Sequence, residues 1–181
     1  VVHLLECALD REDRDPGLHT ALIDQLTSRL TVMGDAGLSA AAGRLSERAR
    51  LFARKLPVDR RIPLLTSAAF AVIGRGSEAL ALLEETESLA RAAGKEGFVL
   101  DSLIARGIAA HHAEQDATSL RCFESALVLC GHPSRRPQRR AVLIEMATAL
   151  AAQQRLPEAR RRLEEALALE DETFPPANRA T

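Results

Sequence analysis

The sequence predicts an all-α chain built as an α-solenoid of antiparallel helix pairs, with a period near 40 residues. Three observations predict it. The residue choice favours helix over sheet, columns of small residues recur at one spacing, and cap and turn residues fall between those columns.

Leu, Ala, Arg and Glu dominate, all good helix formers, while Trp and Tyr are absent and Phe occurs five times. Few β-branched or aromatic runs remain from which to build a sheet. At 181 residues the chain can bury a sizeable core. It carries 24 basic and 25 acidic residues, a net charge of -1, so there is no global attraction to nucleic acid or an anionic membrane. No apolar run approaches the roughly 18 residues of a membrane helix.

The three cysteines form no C-x-x-C pair. Cys122 and Cys130 lie on one predicted helix with a rise of about 12 Å between them. That is beyond the roughly 7 Å reach of a disulfide, so reduced thiols and a cytoplasmic setting are expected. The chain opens Val1-Val2-His3 without Met, which reads as a piece of something longer and leaves a removed signal peptide open.

The columns appear when the chain is laid against itself at a shift of 40. Ser67, Gly107 and Ala147 align on the first helix of each pair, as do Phe70, Ala110 and Leu150. On the second helix Ala79, Ser119 and Ala159 align, then Leu83, Phe123 and Leu163, then Thr86, Ala126 and Ala166, then Leu89, Leu129 and Leu169. Persistently small columns have a physical cause: paired helices approach closely only where both contribute small side chains. The large residues between them fill the remaining space.

The elements follow in order. Residues 1–9 read as the second helix of a truncated repeat, followed by a polar connection to residue 16. Helix 17–33 carries Ile23, Leu26 and Leu30 before Gly34. Its partner near 39–54 aligns best at a shift of 38, with Ala41 and Leu45 under Ala79 and Leu83. First helices follow near 61–74, opened by Pro63, then 97–113, then 136–153, opened by Pro137. Second helices follow near 77–93, opened by Ser77-Glu78 and ended by a left-handed Gly94, near 117–130 with Asp116 as N-cap, and near 157–170 opened by Pro157-Glu158. The repeats are 17–56, 57–96, 97–135 and 136–170 of a 1–170 repeat domain, and 171–181 form a tail.

The run Leu156-Pro157-Glu158-Ala159-Arg160-Arg161-Arg162-Leu163-Glu164-Glu165-Ala166-Leu167 resembles the second helix of a tetratricopeptide repeat. Gly107, Ser119, Phe123 and Ala126 are similar to that family's small-small-aromatic-small skeleton. The resemblance covers residues 17–170 and is strongest over 97–170. Two features depart from the family: Leu103 and Leu143 stand where an aromatic is usual, and the period is 40 rather than 34. HEAT-type arrays share the period and are the structural runner-up. Long-period, Arg- and Ala-rich repeats also resemble the helical arrays of large bacterial regulators, including LuxR-type ATPases and antibiotic-regulatory proteins. In those the array serves transcription regulation or signalling as a sensor or docking segment.

In tetratricopeptide arrays the first helices line a concave groove. Carried over by alignment, the resemblance implies open positions at Asp24, Ser28 and Thr31, then Arg61, Leu64, Ala68 and Ala71. Asp101, Ile104, Ile108, His111 and His112 follow, then Ile144, Thr148 and Ala151. Arg106 falls where a large apolar residue belongs. Either that helix is rotated, making Ile104 and Ile108 core, or Arg106 reaches into the groove towards an acid such as Asp101.

Other chemistry is thin. His111 and His112 point about 100° apart on a helix and do not readily share a metal. Gly37-Leu38-Ser39 lacks the strand of a nucleophile elbow. Gly94-Lys95 lacks the first glycine of a phosphate loop, with Leu89 in its place. Arg135, Arg136, Arg139 and Arg140, with Arg160 to Arg162 nearby, form a basic patch. No aromatics interleave it for base stacking, and Glu164-Glu165 lie one turn from the second cluster. The expected function is therefore a non-catalytic scaffold without cofactor or metal. Its expected partner is a protein, a peptide or its own flanking domains, bound in the groove, with self-association through the chain ends. Contact with nucleic acid or an acidic partner through the arginines is the alternative, and metal-dependent chemistry at the His pair the third reading.

Overall fold

A computed structural model describes residues 39–171. The expectations for residues 1–38, including Asp24, Ser28, Thr31 and the sticky N-terminal helix, and for the tail beyond 171 lie outside them. Seven α-helices follow one another: α1 Ser39–Ala53, α2 Val58–Ala71, α3 Ser77–Ala92, α4 Glu96–His112, α5 Asp116–Leu129, α6 Arg136–Ala152 and α7 Leu156–Asp171. Short 3₁₀ turns at Ile73–Arg75 and Pro133–Arg135 precede α3 and α6. There is no strand among the described residues, so the chain there is all-α.

Three turns share one construction. Gly94, Glu114 and Gln154 have left-handed φ of 64°, 57° and 60°. The following N–H donates to the carbonyl five residues back: Lys95 to Ala90 at 2.9 Å, Gln115 to Ala110 at 2.8 Å, Arg155 to Leu150 at 2.9 Å. This is the Schellman closure, which satisfies carbonyls the helix end would leave bare. Gly94 was the expected terminator, whereas Glu114 and Gln154 adopt the same strained conformation without being glycine. Asp116 is not the N-cap expected of it. The cap is Gln115, which makes no side-chain bond, and Asp116 is the first helical residue. Pro63 does not open α2 either. Extended Pro57 (φ -62°, ψ 152°) does, and Asp59 sits favourably in the first turn. Pro63 is accommodated inside the helix, without the N–H that would have bonded the Asp59 carbonyl.

Each helix packs chiefly on its neighbours in sequence. Small contacts that skip one helix join α2 to α4 and α4 to α6. One core cluster gathers Leu45, Phe52, Leu65, Ala69, Leu83 and Ala109; the next gathers Leu100, Leu103, Phe123, Val142, Met146 and Leu150.

The small columns on the second helices are buried throughout: Ala79, Ser119 and Ala159, and Thr86, Ala126 and Ala166. Ser119 Oγ donates to the Gly107 carbonyl at 2.8 Å, so the serine fastens α5 to α4 at their close approach. Gly107 has no room for a side chain, because a Cβ there would lie 2.4 Å from Phe123 Cε1.

Two large-residue columns fail, each for a packing reason. Leu163 is 44% exposed, because among the described residues no helix follows α7 to cover it. Phe70 is 38% exposed and Ser67 only half-buried, because α2 sits in a different register. Its buried Ile62, Leu65, Ala69 and Val72 match Leu100, Leu103, Gly107 and Ala110, two residues off the expected column. The α2–α3 link, residues 72–76, contains a 3₁₀ turn ending at Gly76 in place of the left-handed closure, and Val72 and Ala79 lie two residues closer in sequence than their counterparts Ala110 and Ser119.

Candidate functional site

The open stripe of α4 carries Asp101, Ile104, Ile108 and His112, three and four residues apart and therefore on one face. Asp101 and His112 are exposed, and Ile104, Ile108 and His111 are half-buried. At the same helical places on α6 stand Ile144, 37% exposed, and exposed Thr148, whose hydroxyl donates to the Ile144 carbonyl at 3.1 Å. The two helices touch each other, and the two stripes lie at equivalent places on them. Asp101 keeps accessible surface, yet surrounding protein desolvates its carboxyl and raises its pKa above the ordinary value.

On α2 the expected open positions are closed. Leu64 and Ala68 are fully buried and Ala71 is 7% exposed, all within the core cluster of Leu45, Ala49 and Phe52. The two-residue register difference turns Phe70 to the open side in their place. A bulky Phe in a column otherwise held by Ala110 and Leu150 was the available signal. Arg61 is half-buried and donates to Glu85 Oε1 at 2.7 Å, while Arg50 donates to Glu85 Oε2 at 2.9 Å. One carboxylate thus ties α1, α2 and α3. Desolvation pushes the Glu85 pKa up, but the hydrogen bonds from Arg61 and Arg50 outweigh it and hold the carboxyl below its ordinary range.

Arg106 follows neither expected course. It leaves α4 away from the isoleucine stripe and donates to Glu87 and, at 3.3 Å, to Glu84, both on α3. Glu87 also accepts from Arg91 at 2.9 Å. The pairing partner is the preceding second helix, not Asp101, and α4 is not rotated in the sense that would bury Ile104 and Ile108 completely.

The two histidine rings lie 5.9 Å apart at their centroids, tilted by 39°. His111 Nδ1 is buried without a hydrogen-bond partner in the described structure. No group of three or more His, Cys, Asp or Glu able to hold a metal occurs among the described residues. Ser39 is the first residue of α1. Cys122 and Cys130 are buried thiols whose pKa values burial raises.

The basic patch is divided by structural duties. Arg135 donates to the Leu129 carbonyl at 2.8 Å and to Glu96 Oε2 at 2.7 Å, clipping the end of α5 to the start of α4. Arg139 is half-buried, and Arg136 and Arg140 are each engaged in an interaction of their own. Arg160 meets Glu164 at 2.8 Å, and Arg162 meets Glu165 at 3.0 Å, within α7. Phosphate would have to compete with carboxylates already in place. No described helix is long and apolar enough to cross a membrane. No family model, curated protein or solved structure matches the chain.

Proposed function

We propose that this chain is a non-catalytic interaction scaffold, an α-solenoid of tetratricopeptide-like helix pairs that binds a peptide or partner domain in a groove along its first helices. The observation that carries the reading is the row of incompletely covered apolar side chains, Phe70, Ile104, Ile108 and Ile144, on three first helices that pack side by side. Phe70 and Ile144 are exposed while Ile104 and Ile108 pack in part against the core, and apolar surface left open in such a row commonly marks a contact surface. The packing supports the concavity. First helices touch across a repeat, as expected where they line the inner side of a stack. The left-handed turns at Glu114 and Gln154, 40 residues apart with the same hydrogen bonds, support the repeat itself. Asp101 and His112 flank the apolar row with polar groups that orient a ligand. A role beside regulatory or signalling domains of a larger bacterial protein rests on the family resemblance alone.

The test is selection of binding peptides from a displayed random library, followed by anisotropy titration of the selected peptide. Ile144→Glu should weaken binding at least tenfold and leave the helical melting transition unchanged, because the side chain is already 37% exposed. Peptides that bind the Ile144→Glu protein equally well place the contact elsewhere.

A further inference from the structure

The acids in the first turns of α2 and α4 are neutralised in place. Asp59 meets Lys95 at 2.8 Å, and Glu96 meets Arg135 at 2.7 Å. Glu84, Glu85 and Glu87 on α3 likewise accept from arginines. Asp101 differs. It pairs with no cation among the described residues, and burial raises its pKa with no neighbouring charge to oppose the shift. The equivalent places on α2 and α6 hold Pro63 and Ala141, which bring no charge. Asp101 is nonetheless exposed, so a cation from outside can reach it. It also shares its helix face with Ile104, about 4.5 Å further along the axis, and with Ile108.

We propose that the occupant of the groove is a segment of another protein in which a Lys or Arg stands beside aliphatic residues, the cation pairing with Asp101 and the aliphatic side chains meeting Ile104, Ile108 and Ile144. The inference rests on the groove reading above and adds the chemistry of the partner. A segment seated on the isoleucines removes more water from Asp101. Beneath a neutral segment the carboxylate would stay charged and unpaired in a drier setting, and beneath an acidic one it would be repelled as well. A Lys or Arg offsets that penalty with a charge-assisted hydrogen bond. The carboxylate thus selects among apolar segments by disfavouring those that lack a cation. The short rise from Asp101 to Ile104 puts that cation within one or two residues of the first aliphatic side chain.

A displayed random-peptide library selected on the full chain supplies the probe, a fluorescein-labelled copy of the strongest binder read by anisotropy. The selected peptides should be enriched in Lys or Arg next to aliphatic residues. Binding should fall at least tenfold with Asp101→Asn, which should keep the parent melting curve because the carboxylate has no ion pair to lose. Replacing the peptide's own cation by Gln should cost a similar factor against the parent and nothing further against Asp101→Asn, a coupling that no general change in folding produces. Peptides without a cation, or with losses that simply add, overturn this inference; if their binding is still lost with Ile144→Glu, the groove reading stands without it. Binding that survives Ile144→Glu, or a selection that returns no binder, overturns both.

Discussion

Replacing Gly107 by Ala tests the close approach of α4 to α5. The new Cβ would sit 2.4 Å from Phe123 Cε1 and 2.7 Å from both Cδ1 and Cζ. Ordinary contact begins about 1 Å further out, and Phe123, 1% exposed, has no open side to move into. Separating α4 from α5 instead would stretch the 2.8 Å bond from Ser119 to the Gly107 carbonyl. Overpacking of this kind costs about 1–3 kcal/mol. Alanine returns up to about 1 kcal/mol of helix propensity, which would blur the sign of a single measurement. Gly97 on the same helix supplies the control, since a Cβ there meets nothing within 4 Å. Gly97→Ala should stabilise by about 0.5 kcal/mol. The difference between the two variants, by urea unfolding followed in far-UV circular dichroism, should then be about 1–3 kcal/mol against Gly107→Ala. Phe123→Leu added to Gly107→Ala should recover part of the loss, because Ala147 and Leu163 stand at these two places in the next pair. If Gly107→Ala is as stabilising as Gly97→Ala, the phenylalanine does not pack where the structure puts it, and the close-approach argument for the small columns fails.

Two further outcomes can be checked on the same apparatus. Ser102 is fully buried and its Oγ finds no hydrogen-bond partner among the described groups, so Ser102→Ala should leave stability unchanged or raise it by up to about 1 kcal/mol. Because Glu85 has a depressed pKa when folded, it contributes stability above the unfolded glutamate value of about 4.3, and that contribution is lost as pH falls through the lower folded value. Glu85→Gln should therefore be less stable than the parent at neutral pH and lose less of its stability in acid; parallel pH profiles of the two proteins would contradict this.

Much of the helical layout was legible in the sequence because short-range rules decide it. The limits of α4, α5 and α6 fall within one residue of those the caps and columns predict. Gly107, Ser119, Phe123 and Ala126 were recognisable because close approach restricts which residues can stand there. Exposure was less legible, because it depends on a neighbour rather than on the residue. Leu83 and Leu163 share a column and differ only in what lies over them. Leu64 and Ala68 were misplaced for a related reason: α2 is offset by two residues across the 3₁₀ turn at Ile73–Arg75, and two residues carry a side chain to the other side of a helix. Of the candidate groove, Ile104, Ile108 and Ile144 were placed by alignment, while Phe70 was hidden by that same slip. Arg106 was conspicuous as a misfit, but its acids lie on α3, at a separation no helical spacing rule reaches.

Sequential packing has a mechanical consequence. With packing chiefly between neighbours and small contacts between next-but-one first helices, no distant strand or helix locks the two ends of the described segment together. Force applied at those ends loads the contacts in series, so they yield from an edge inward, one helix at a time. A sixteen-residue helix such as α3 lengthens from about 24 Å to about 55 Å when it opens. Stretched in a force-extension measurement, a segment packed this way is expected to lengthen in steps of about one helix.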